Sequence, residues 1–266
     1  MNEDTLSVGA SPAISEAVIL MAGSGSRLRD SGEPVLKPLI PVLGRPLVCY
    51  TMDALARAGI KKITFIVGFE RNRLRAAVEN LAPAGIEIRF IENPDWQKQN
   101  GISLLAAANH LAEPFLLTMC DHLFDDAIVD LLIESADLTC LNLAIDKKID
   151  SVFDLDDAMK VQTRNDRVIA IGKDLREYNA IDIGLFVCRP EIFRYLEQAK
   201  QNDDCSLADG VRLMAADGKV HAVNIGEAWW QDVDTPEMLA HATQVMERLG
   251  RIGGRDFRLF AKNAPR

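Results

Sequence analysis

The residues best suited to chemistry lie in and just beyond a loop of small side chains. An apolar run of strand length at 17–21 leads into the loop at 22–25, and Arg27 and Lys37 follow it. Because glycines carry no side chain and tolerate backbone angles closed to other residues, the N–H groups of such a loop can turn onto a polyphosphate. Arg27 offers a forked guanidinium for phosphate oxygens, and Lys37 offers a second cation. The stretch therefore predicts a phosphate-binding site.

Two better-known phosphate motifs do not fit this loop. A dinucleotide-binding turn needs a third glycine, and position 28 is Leu. A P-loop needs G-K-[ST], and no lysine follows the glycines directly. The pattern A-G-x-G-x-R-L followed by K-P-L instead resembles the signature of nucleotidyltransferases that activate sugar phosphates.

Three aspartates are candidates for holding a metal ion beside that loop. Asp121 closely follows the apolar run 115–119, and Asp232 and Asp234 project from one face if they lie on a strand. Because Mg²⁺ takes one or two carboxylates together with ligand phosphates, these residues predict a Mg²⁺ site. Helix capping is the alternative role of Asp121 and Asp234. We expect His122 to orient Asp121 and not to act as a base, because a phosphate nucleophile is already ionised at neutral pH.

Four further residues are candidates for contacts with the nucleoside and the acceptor. Asn100 and Ser103 could bind a base or ribose, although Ser103 could instead cap a helix. Lys160 and Lys173 lie at the ends of the strands of a predicted hairpin, and their alternative role is that of solvated surface lysines. The sequence alone leaves these alternatives open.

Strand-length and helix-length segments alternate along the first half of the chain, which predicts an α/β fold. The predicted strands are 18–21, 63–67, 86–91 and 115–119, and the predicted helices are 47–58, 71–81 and 103–111. Such alternation favours a mainly parallel sheet with helices on both faces. Since ligands bind at the carboxyl ends of parallel strands, the small-residue loop and Asp121 are expected on one edge of the sheet.

After about residue 145 the pattern changes to a hairpin, which we expect to form an acceptor-binding lobe. Its strands are predicted at 161–163 and 168–171. The segments after the hairpin are a strand at 181–188, helices at 190–199 and 206–216, a strand at 220–225 and a last helix capped by Thr235.

Composition and charge restrict the possible partners. The 266 residues are 48% hydrophobic and 26% charged, as is typical of a globular protein with a substantial core. The net charge of -9 argues against non-specific nucleic-acid binding, which depends on neutralising phosphates. Five cysteines without a C-x-x-C pair indicate a reducing, cytoplasmic setting. We expect neither a signal peptide nor a membrane-embedded segment, but a flexible leader at 1–15 and a Gly- and Arg-rich tail at 250–266.

Taken together, the segments resemble the CTP:inositol-1-phosphate cytidylyltransferases, a branch of the sugar-phosphate nucleotidyltransferases. The similarity runs from about residue 16 to residue 250. Beyond the small-residue loop, the segments that carry it are Lys37-Pro-Leu-Ile-Pro-Val-Leu-Gly-Arg-Pro46, Asn93-Pro-Asp-Trp96, Asn100-Gly-Ile-Ser-Leu104, Asp121-His-Leu123, Asp156-Asp-Ala-Met-Lys-Val161, Ile171-Gly-Lys-Asp-Leu175, Ser206-Leu-Ala-Asp-Gly-Val-Arg212 and Trp230-Gln-Asp-Val-Asp-Thr-Pro-Glu237.

The resemblance implies a Rossmann-like, three-layer nucleotidyltransferase fold over 16–249, with CTP and a small phosphorylated acceptor as substrates and Mg²⁺ as cofactor. The nucleotide contacts that it implies are Ala22, Gly23, Ser24, Gly25, Asn100 and Ser103. The catalytic cations that it implies are Arg27, Lys37 and Lys173, and the metal ligands are Asp121, Asp232 and Asp234. The acceptor contacts that it implies are Lys160, Lys173, Asp182 and Asp209. Many members are fused to a membrane alcohol phosphotransferase that consumes CDP-inositol, and we expect such a partner to be a separate protein here.

Three positions depart from the family pattern and leave the acceptor open. Met21 stands where the superfamily has Ala, Cys120 where Gly precedes the Asp, and Ile183 where Thr is expected. The alternative acceptors are phosphocholine, 2-aminoethylphosphonate and a sugar 1-phosphate. A quaternary amine calls for an aromatic cage, and three Tyr and three Trp offer no obvious one.

A catalytically inactive subunit that senses nucleotide is the alternative from another class. The chain keeps Arg27, Lys37, Asp121 and Asp232 together, which argues against that alternative.

Overall fold

The computed structural model describes residues 14–25 and 36–253, with side chains described through residue 250. Arg27, which we predict to be catalytic, lies outside the described residues. The predicted alternation is confirmed in the first half of the chain. Its elements are β1 (Glu16–Met21), β2 (Pro41–Val42), β3 (Arg45–Pro46), α1 (Leu47–Arg57), β4 (Lys62–Val67), α2 (Arg71–Leu81), β5 (Glu87–Glu92), α3 (Asn100–Leu105), β6 (Phe115–Met119), β7 (His122–Phe124), α4 (Ala127–Glu134) and β8 (Leu141–Asp146).

The second half adds a hairpin, three helices and further strands. Its elements are β9 (Lys160–Arg164), β10 (Arg167–Gly172), β11 (Ala180–Cys188), α5 (Glu191–Ala199), α6 (Leu207–Ala216), β12 (Val220–Asn224), β13 (Trp230–Asp232) and α7 (Pro236–Gly253). The predicted hairpin, strands and helices of this half are confirmed. Thr235 caps α7, because its Oγ1 accepts a hydrogen bond from the backbone N–H of Met238 at 3.2 Å.

Within the described residues, nine strands form one sheet in the order β5-β4-β1-β6-β11-β8-β12-β10-β9, while β7 pairs with β13 and β2 pairs with β3 in two separate ribbons. The part of the sheet that is built from the first half of the chain is parallel. In it, β1 lies between β4 and β6, with Leu20 paired to Met119. Such strands are buried on both faces, which explains their continuous apolar runs. The other half is mixed, because β11 runs antiparallel to both β6 and β8 while β12 is parallel to β8. The mainly parallel sheet is therefore confirmed for the half that carries the small-residue loop, whereas the rest of the sheet is mixed.

Side chains of β1 alternate between two hydrophobic clusters on opposite faces of the sheet. Val18 and Leu20 pack with residues of α5 and α6, whereas Ile19 and Met21 pack with residues of α1 and α4. Helices therefore cover both faces, and the predicted three-layer α/β arrangement is confirmed. In the described ranges, no helix is long and apolar enough to cross a membrane.

A two-stranded ribbon of β7 and β13 brings distant parts of the chain together above the sheet. Gln231 pairs with Leu123, and Asp232 pairs with His122. A third hydrophobic cluster lies beneath this ribbon and contains Leu123, Val233 and Met246 of α7. The ribbon therefore fixes the segment 230–234 against the segment that follows β6.

Three predicted boundaries differ from the structure. The helix predicted at 103–111 begins at Asn100 and ends at Leu105, followed by a 3-10 turn at Ala108–His110. The end of the predicted leader is folded, since Ile14 is buried and the carbonyl of Ser15 accepts hydrogen bonds from 61 and 62. Residues 250–253, which we assigned to the tail, continue α7.

Candidate active site

The small-residue loop opens into a cavity of about 370 Å³ at the carboxyl ends of β1 and β6. We call it the nucleotide cavity. It is lined by predicted nucleotide contacts, by one predicted catalytic cation and by two predicted metal ligands, namely Ala22, Gly23, Ser24, Gly25, Asn100, Ser103, Lys37, Asp121 and Asp234. Gly25 has a φ of +61°, and a Cβ there would lie 2.9 Å from the Cβ of Lys37. At Gly23 an added Cβ would meet nothing within 4 Å, so one side of the loop is open space. The loop at 22–25, which we call the cradle, therefore leaves its backbone uncovered toward the cavity.

Lys37 joins the two carboxylates of the nucleotide cavity. Its Nζ lies 2.5 Å from Asp121 Oδ2 and also forms an ion pair with Asp234 Oδ1. Burial opposes the charge on Lys37, but Asp121 and then Asp234 outweigh it, so the pKa of Lys37 is above its ordinary value. Burial likewise opposes the charge of Asp121, but Lys37 and His122 hold its pKa well below the ordinary range. The site is thus a buried cluster in which both partners keep their charges.

The imidazole of His122 orients Asp121 from the side away from Lys37. Its Nδ1 lies 2.6 Å from Asp121 Oδ1, which is the contact predicted for it. The ring stacks on Trp230, with centroids 6.4 Å apart, and a Cβ at Gly184 would overlap it. Burial disfavours the imidazolium, but Asp121 outweighs burial and raises the pKa of His122. The alternative of Asp121 as a helix cap is excluded, because its carboxylate is bound to Lys37 and His122.

The donor set fits a divalent cation of the magnesium type. No group of three or more His, Cys, Asp or Glu side chains forms a metal site by itself in residues 14–25 and 36–253. However, Asp121 and Asp234 already converge on one cation, the ammonium of Lys37. Because Mg²⁺ is bound by one or two carboxylates plus substrate phosphates, this pair is a sufficient protein contribution. Asp234 is thereby placed in the cavity, while Thr235 caps the helix.

Asp232 faces a second cavity, next to the nucleotide cavity. Its Oδ1 accepts a hydrogen bond of 3.0 Å from Nε2 of Gln231. Burial raises the pKa of Asp232, and the neighbouring His122 opposes the rise. Asp232 therefore borders the Lys37 cluster without touching Lys37.

Asn100 and Ser103 lie in the nucleotide cavity but also hold the structure together. The Oδ1 of Asn100 accepts a hydrogen bond from the backbone N–H of Leu207 at 2.8 Å. The Oγ of Ser103 accepts one from Nδ2 of Asn93 at 3.0 Å. Ser103 is therefore not a helix cap, and its contact with a nucleotide stays a prediction.

The predicted acceptor residues are divided between two places. Lys160 and Lys173 meet at the base of the hairpin, where Lys160 Nζ donates to the carbonyl of Lys173 and Lys173 pairs with Asp157. Asp182 lies beside them, because its N–H donates to the carbonyl of Met159. Burial raises the pKa of Asp182 to about 6, while a hydrogen bond from the N–H of Gly184 opposes the rise.

Asp209 lies outside this group. It forms the capping box of α6 with Ser206, and its Oδ1 pairs with Arg212 at 2.7 Å. It lines a different surface cavity together with Gln99 and Asp204. The structure thus gives Asp209 a local role, and its contact with an acceptor stays a prediction.

Sequence reasoning missed a group of residues that supports Trp230. Asp146, at the end of β8, is buried and accepts hydrogen bonds from Trp230 Nε1 and Lys148 Nζ, both at 2.9 Å. Lys148 also donates to the carbonyls of Gly226 and Ala228. The available signal was a carboxylate closing an apolar run at 141–146, as Asp121 does after β6.

Comparison with known proteins agrees with this fold. A family model for the MobA-like NTP transferase domain matches residues 17–150, and the chain belongs to this family. The predicted class, a nucleotidyltransferase, is thereby confirmed.

Two relatives and one solved structure are similar over long stretches. A protein of Rubrobacter xylanophilus named bifunctional IPC transferase and DIPP synthase is 34% identical over 227 residues, which is 84% of this chain and 50% of that protein. The chain thus spans about half the length of that relative. A CMP-5'-(3-aminopropyl)phosphonate synthase of Streptomyces rubellomurinus is 35% identical over 136 residues, covering 50% of this chain and 21% of that protein. The solved inositol-1-phosphate CTP transferase from T. maritima has a TM-score of 0.80 at 26% identity, covering 90% of this chain and 97% of that one.

Proposed function

We propose that this chain transfers a cytidylyl group from CTP to inositol 1-phosphate, giving CDP-inositol and pyrophosphate. The observation that carries the proposal is the convergence of the glycine loop, Lys37, Asp121 and Asp234 on one cavity. The similarity to an inositol-1-phosphate CTP transferase supports the choice of substrates, since it extends over almost the full length of both chains.

The proposed reaction is an in-line displacement at the α-phosphorus of CTP. A phosphate oxygen of the acceptor forms the new P–O bond, while the bond between the α-phosphorus and its bridging oxygen to the β-phosphorus breaks. The leaving pyrophosphate takes the electron pair of that bond. The acceptor phosphate is already ionised at neutral pH, so no general base is required. Catalysis of this type depends on positioning and on electrostatic stabilisation.

Residues in and beside the nucleotide cavity have different parts in that positioning. The N–H groups of the loop at 22–25 are suited to the triphosphate, and Lys37 is the one lysine or arginine that lines this cavity within the described residues. His122 holds the Asp121 carboxylate in one orientation. Asp121, Asp234 and the adjacent Asp232 would hold Mg²⁺, which neutralises phosphate charge when bound. Arg27 is proposed to add a second cation on the triphosphate.

Further expectations extend this proposal. We propose 16–249 as the nucleotidyltransferase domain, and Lys173, with Lys160 and Asp182 beside it, as residues near the acceptor phosphate. A cytoplasmic location and a membrane alcohol phosphotransferase as the downstream partner stay predictions.

A second candidate acceptor is a small aminoalkylphosphonate. The specific observation in its favour is the similarity to the CMP-5'-(3-aminopropyl)phosphonate synthase, although that similarity covers only half of this chain. The reaction at the α-phosphorus would be the same, because a phosphonate oxygen attacks in place of a phosphate oxygen.

Release of pyrophosphate from CTP tests the proposal directly. The purified chain is assayed with Mg²⁺ and a panel of acceptors: inositol 1-phosphate, phosphocholine, 2-aminoethylphosphonate, 3-aminopropylphosphonate and glucose 1-phosphate. We expect the highest kcat/KM with inositol 1-phosphate, and a lower value when UTP, ATP or GTP replaces CTP. A higher kcat/KM with a phosphonate would establish the second candidate. Pyrophosphate release with none of them would overturn nucleotidyl transfer to this class of acceptor.

A further inference from the structure

A second cavity, of about 300 Å³, lies between β13, α7 and a 3-10 turn at Ile149–Ser151. We call it the aromatic cavity; the side chains that define it are Phe153, Glu227, Trp229, Trp230, Asp232 and His241. Its volume is at the lower end of the range of small-ligand sites, about 300–1,000 Å³. None of the loop residues 22–25 lines it. It is therefore a separate compartment, large enough for one small molecule.

The lysine that lines the aromatic cavity donates its hydrogen bonds to protein oxygens. Lys148 is the one lysine or arginine that lines it within the described residues. Its Nζ donates to Asp146 and to the carbonyls of Gly226 and Ala228. An ammonium has three N–H donors, so none remains for a ligand. A phosphate group would thus find no available cation on the wall.

The remaining charged groups of the cavity favour hydroxyl groups. Asp232 lines one side, and Glu227, which is exposed, lines another. Carboxylates accept hydrogen bonds and repel a phosphate dianion. The cavity is consequently suited to a neutral, hydroxylated group.

The aromatic walls provide faces for the carbon framework of such a ligand. Phe153 is 46% exposed and stacks on His241, with ring centroids 4.4 Å apart. Trp230 is held by its hydrogen bond to Asp146 and by its stacking on His122. These rings are therefore fixed before any ligand arrives, which lowers the entropy cost of binding.

One short segment joins the aromatic cavity to the nucleotide cavity. Asp232 lines the former and Asp234 lines the latter, two residues further on. A ligand that spans this segment can direct one end to the α-phosphate of the nucleotide and keep its other end between the aromatic rings. Lys37 in the nucleotide cavity uses two of its three N–H donors on protein carboxylates, whereas Lys148 in the aromatic cavity uses all three, so the phosphate end belongs in the nucleotide cavity.

We infer that the aromatic cavity binds the hydroxylated ring of the acceptor, with the acceptor phosphate directed toward Asp234 and the nucleotide cavity. This inference rests on the proposed function. It names Phe153 and Glu227, which the sequence did not single out, as residues that determine acceptor specificity.

The test separates binding of the acceptor from binding of CTP. We expect Phe153→Ala to raise KM for inositol 1-phosphate about tenfold, because an aromatic face is lost. We expect Glu227→Lys to raise it at least about fivefold, because a carboxylate that accepts ligand hydroxyls is lost. In both variants KM for CTP stays within about twofold of the wild-type value. Leu249→Ala is the matched control, because Leu249 is also 46% exposed, on α7.

Free myo-inositol supplies a second readout that does not depend on the acceptor phosphate. It should inhibit the wild-type protein competitively with inositol 1-phosphate, and at least about fivefold more weakly in Phe153→Ala. The inference is overturned if the wild type uses inositol 1-phosphate while both variants keep its KM. It is also overturned if choline or aminopropanol inhibits better than myo-inositol. Absence of turnover with inositol 1-phosphate in the wild type would overturn the proposed function itself.

Discussion

The nucleotide cavity and the aromatic cavity share one segment but recognise ligands by different means. The first combines a bare backbone loop with a buried cation between two carboxylates, Lys37 with Asp121 and Asp234. The second has aromatic walls, and its lysine is fully engaged by protein oxygens. The difference teaches how one site can orient a phosphorylated acceptor: charge attracts its phosphate on one side, and the lack of available positive charge directs its ring to the other.

The largest expected effect comes from removing the carboxylate at the centre of the nucleotide cavity. Asp121→Ala should lower kcat by about a thousandfold or more, because metal and charge stabilisation of this kind is worth several kcal/mol. It also leaves Lys37 with one carboxylate partner. Pyrophosphate release under saturating CTP and acceptor measures the effect.

Asp126→Ala is the control for that substitution. Asp126 lies beyond β7, directly before α4, and pairs with Arg57 at 2.7 Å. Its kcat should stay within about twofold of the wild-type value. Near-normal turnover of Asp121→Ala would show that Asp121 is not a metal ligand. The proposed difference between the two cavities would then be wrong.

The next effect concerns Asp182, whose neighbour Gly184 lies against the His122 ring. Burial raises the pKa of Asp182 to about 6, above the ordinary 3.8, so the native protein holds this proton more tightly than the unfolded chain. The stability of the wild type therefore falls as pH rises from about 4 to about 6. Asp182→Asn is neutral at every pH and keeps an oxygen for the Gly184 N–H.

We therefore expect Asp182→Asn to be more stable than the wild type above pH 6, by up to about 3 kcal/mol, and to lose that advantage near pH 4. Urea unfolding at pH 4.5 and at pH 7.5 measures the difference. An equal difference at both values would show that Asp182 ionises normally.

A smaller effect distinguishes the two glycines of the cradle. Gly25 has a φ of +61°, so Gly25→Ala should cost about 1–2 kcal/mol of stability and lower Tm. Gly23→Ala should leave Tm almost unchanged, since its Cβ would enter open space, but should raise KM for CTP because that space is the ligand side. Thermal melts and CTP titrations on both variants test this. A cradle that does not face CTP would leave KM unchanged in Gly23→Ala.

The smallest effect is expected at the wall of the aromatic cavity. Trp230→Phe keeps a ring against His122 but loses the hydrogen bond to Asp146, which is worth about 1 kcal/mol. KM for the acceptor should rise about fivefold, with KM for CTP almost unchanged. Trp96→Phe is the control, since Trp96 packs on Phe69 and lines neither cavity. Equal rises in both KM values would mean that the cavities are not independent.

The nucleotide cavity could be predicted in part from local rules. A glycine-rich turn after a buried strand and an acid after another parallel strand must meet at the same edge of the sheet. The contact between Lys37 and Asp234 follows from no local rule, because the two residues are 197 positions apart. It was expected only from the resemblance to the family.

The aromatic cavity could not be predicted, because its contacts join residues far apart in sequence. Trp230 and Asp146 are 84 positions apart, and nothing in either local pattern selects that partner. The β7–β13 ribbon consists of strands of three residues each, too short to give a periodic signal. Asp209 shows that a motif position can have a local role that the motif does not announce, since it forms a helix capping box, while its predicted acceptor contact stays a prediction.

The fate of the α-phosphorus tests the central claim most directly. CTP labelled with ³²P at the α position is incubated with inositol 1-phosphate, Mg²⁺ and the wild-type chain, and the products are separated. The account predicts that the label moves into a CMP–acceptor diphosphate, with unlabelled pyrophosphate released in equal amount. Label recovered only as free CMP, or orthophosphate released in place of pyrophosphate, would contradict it.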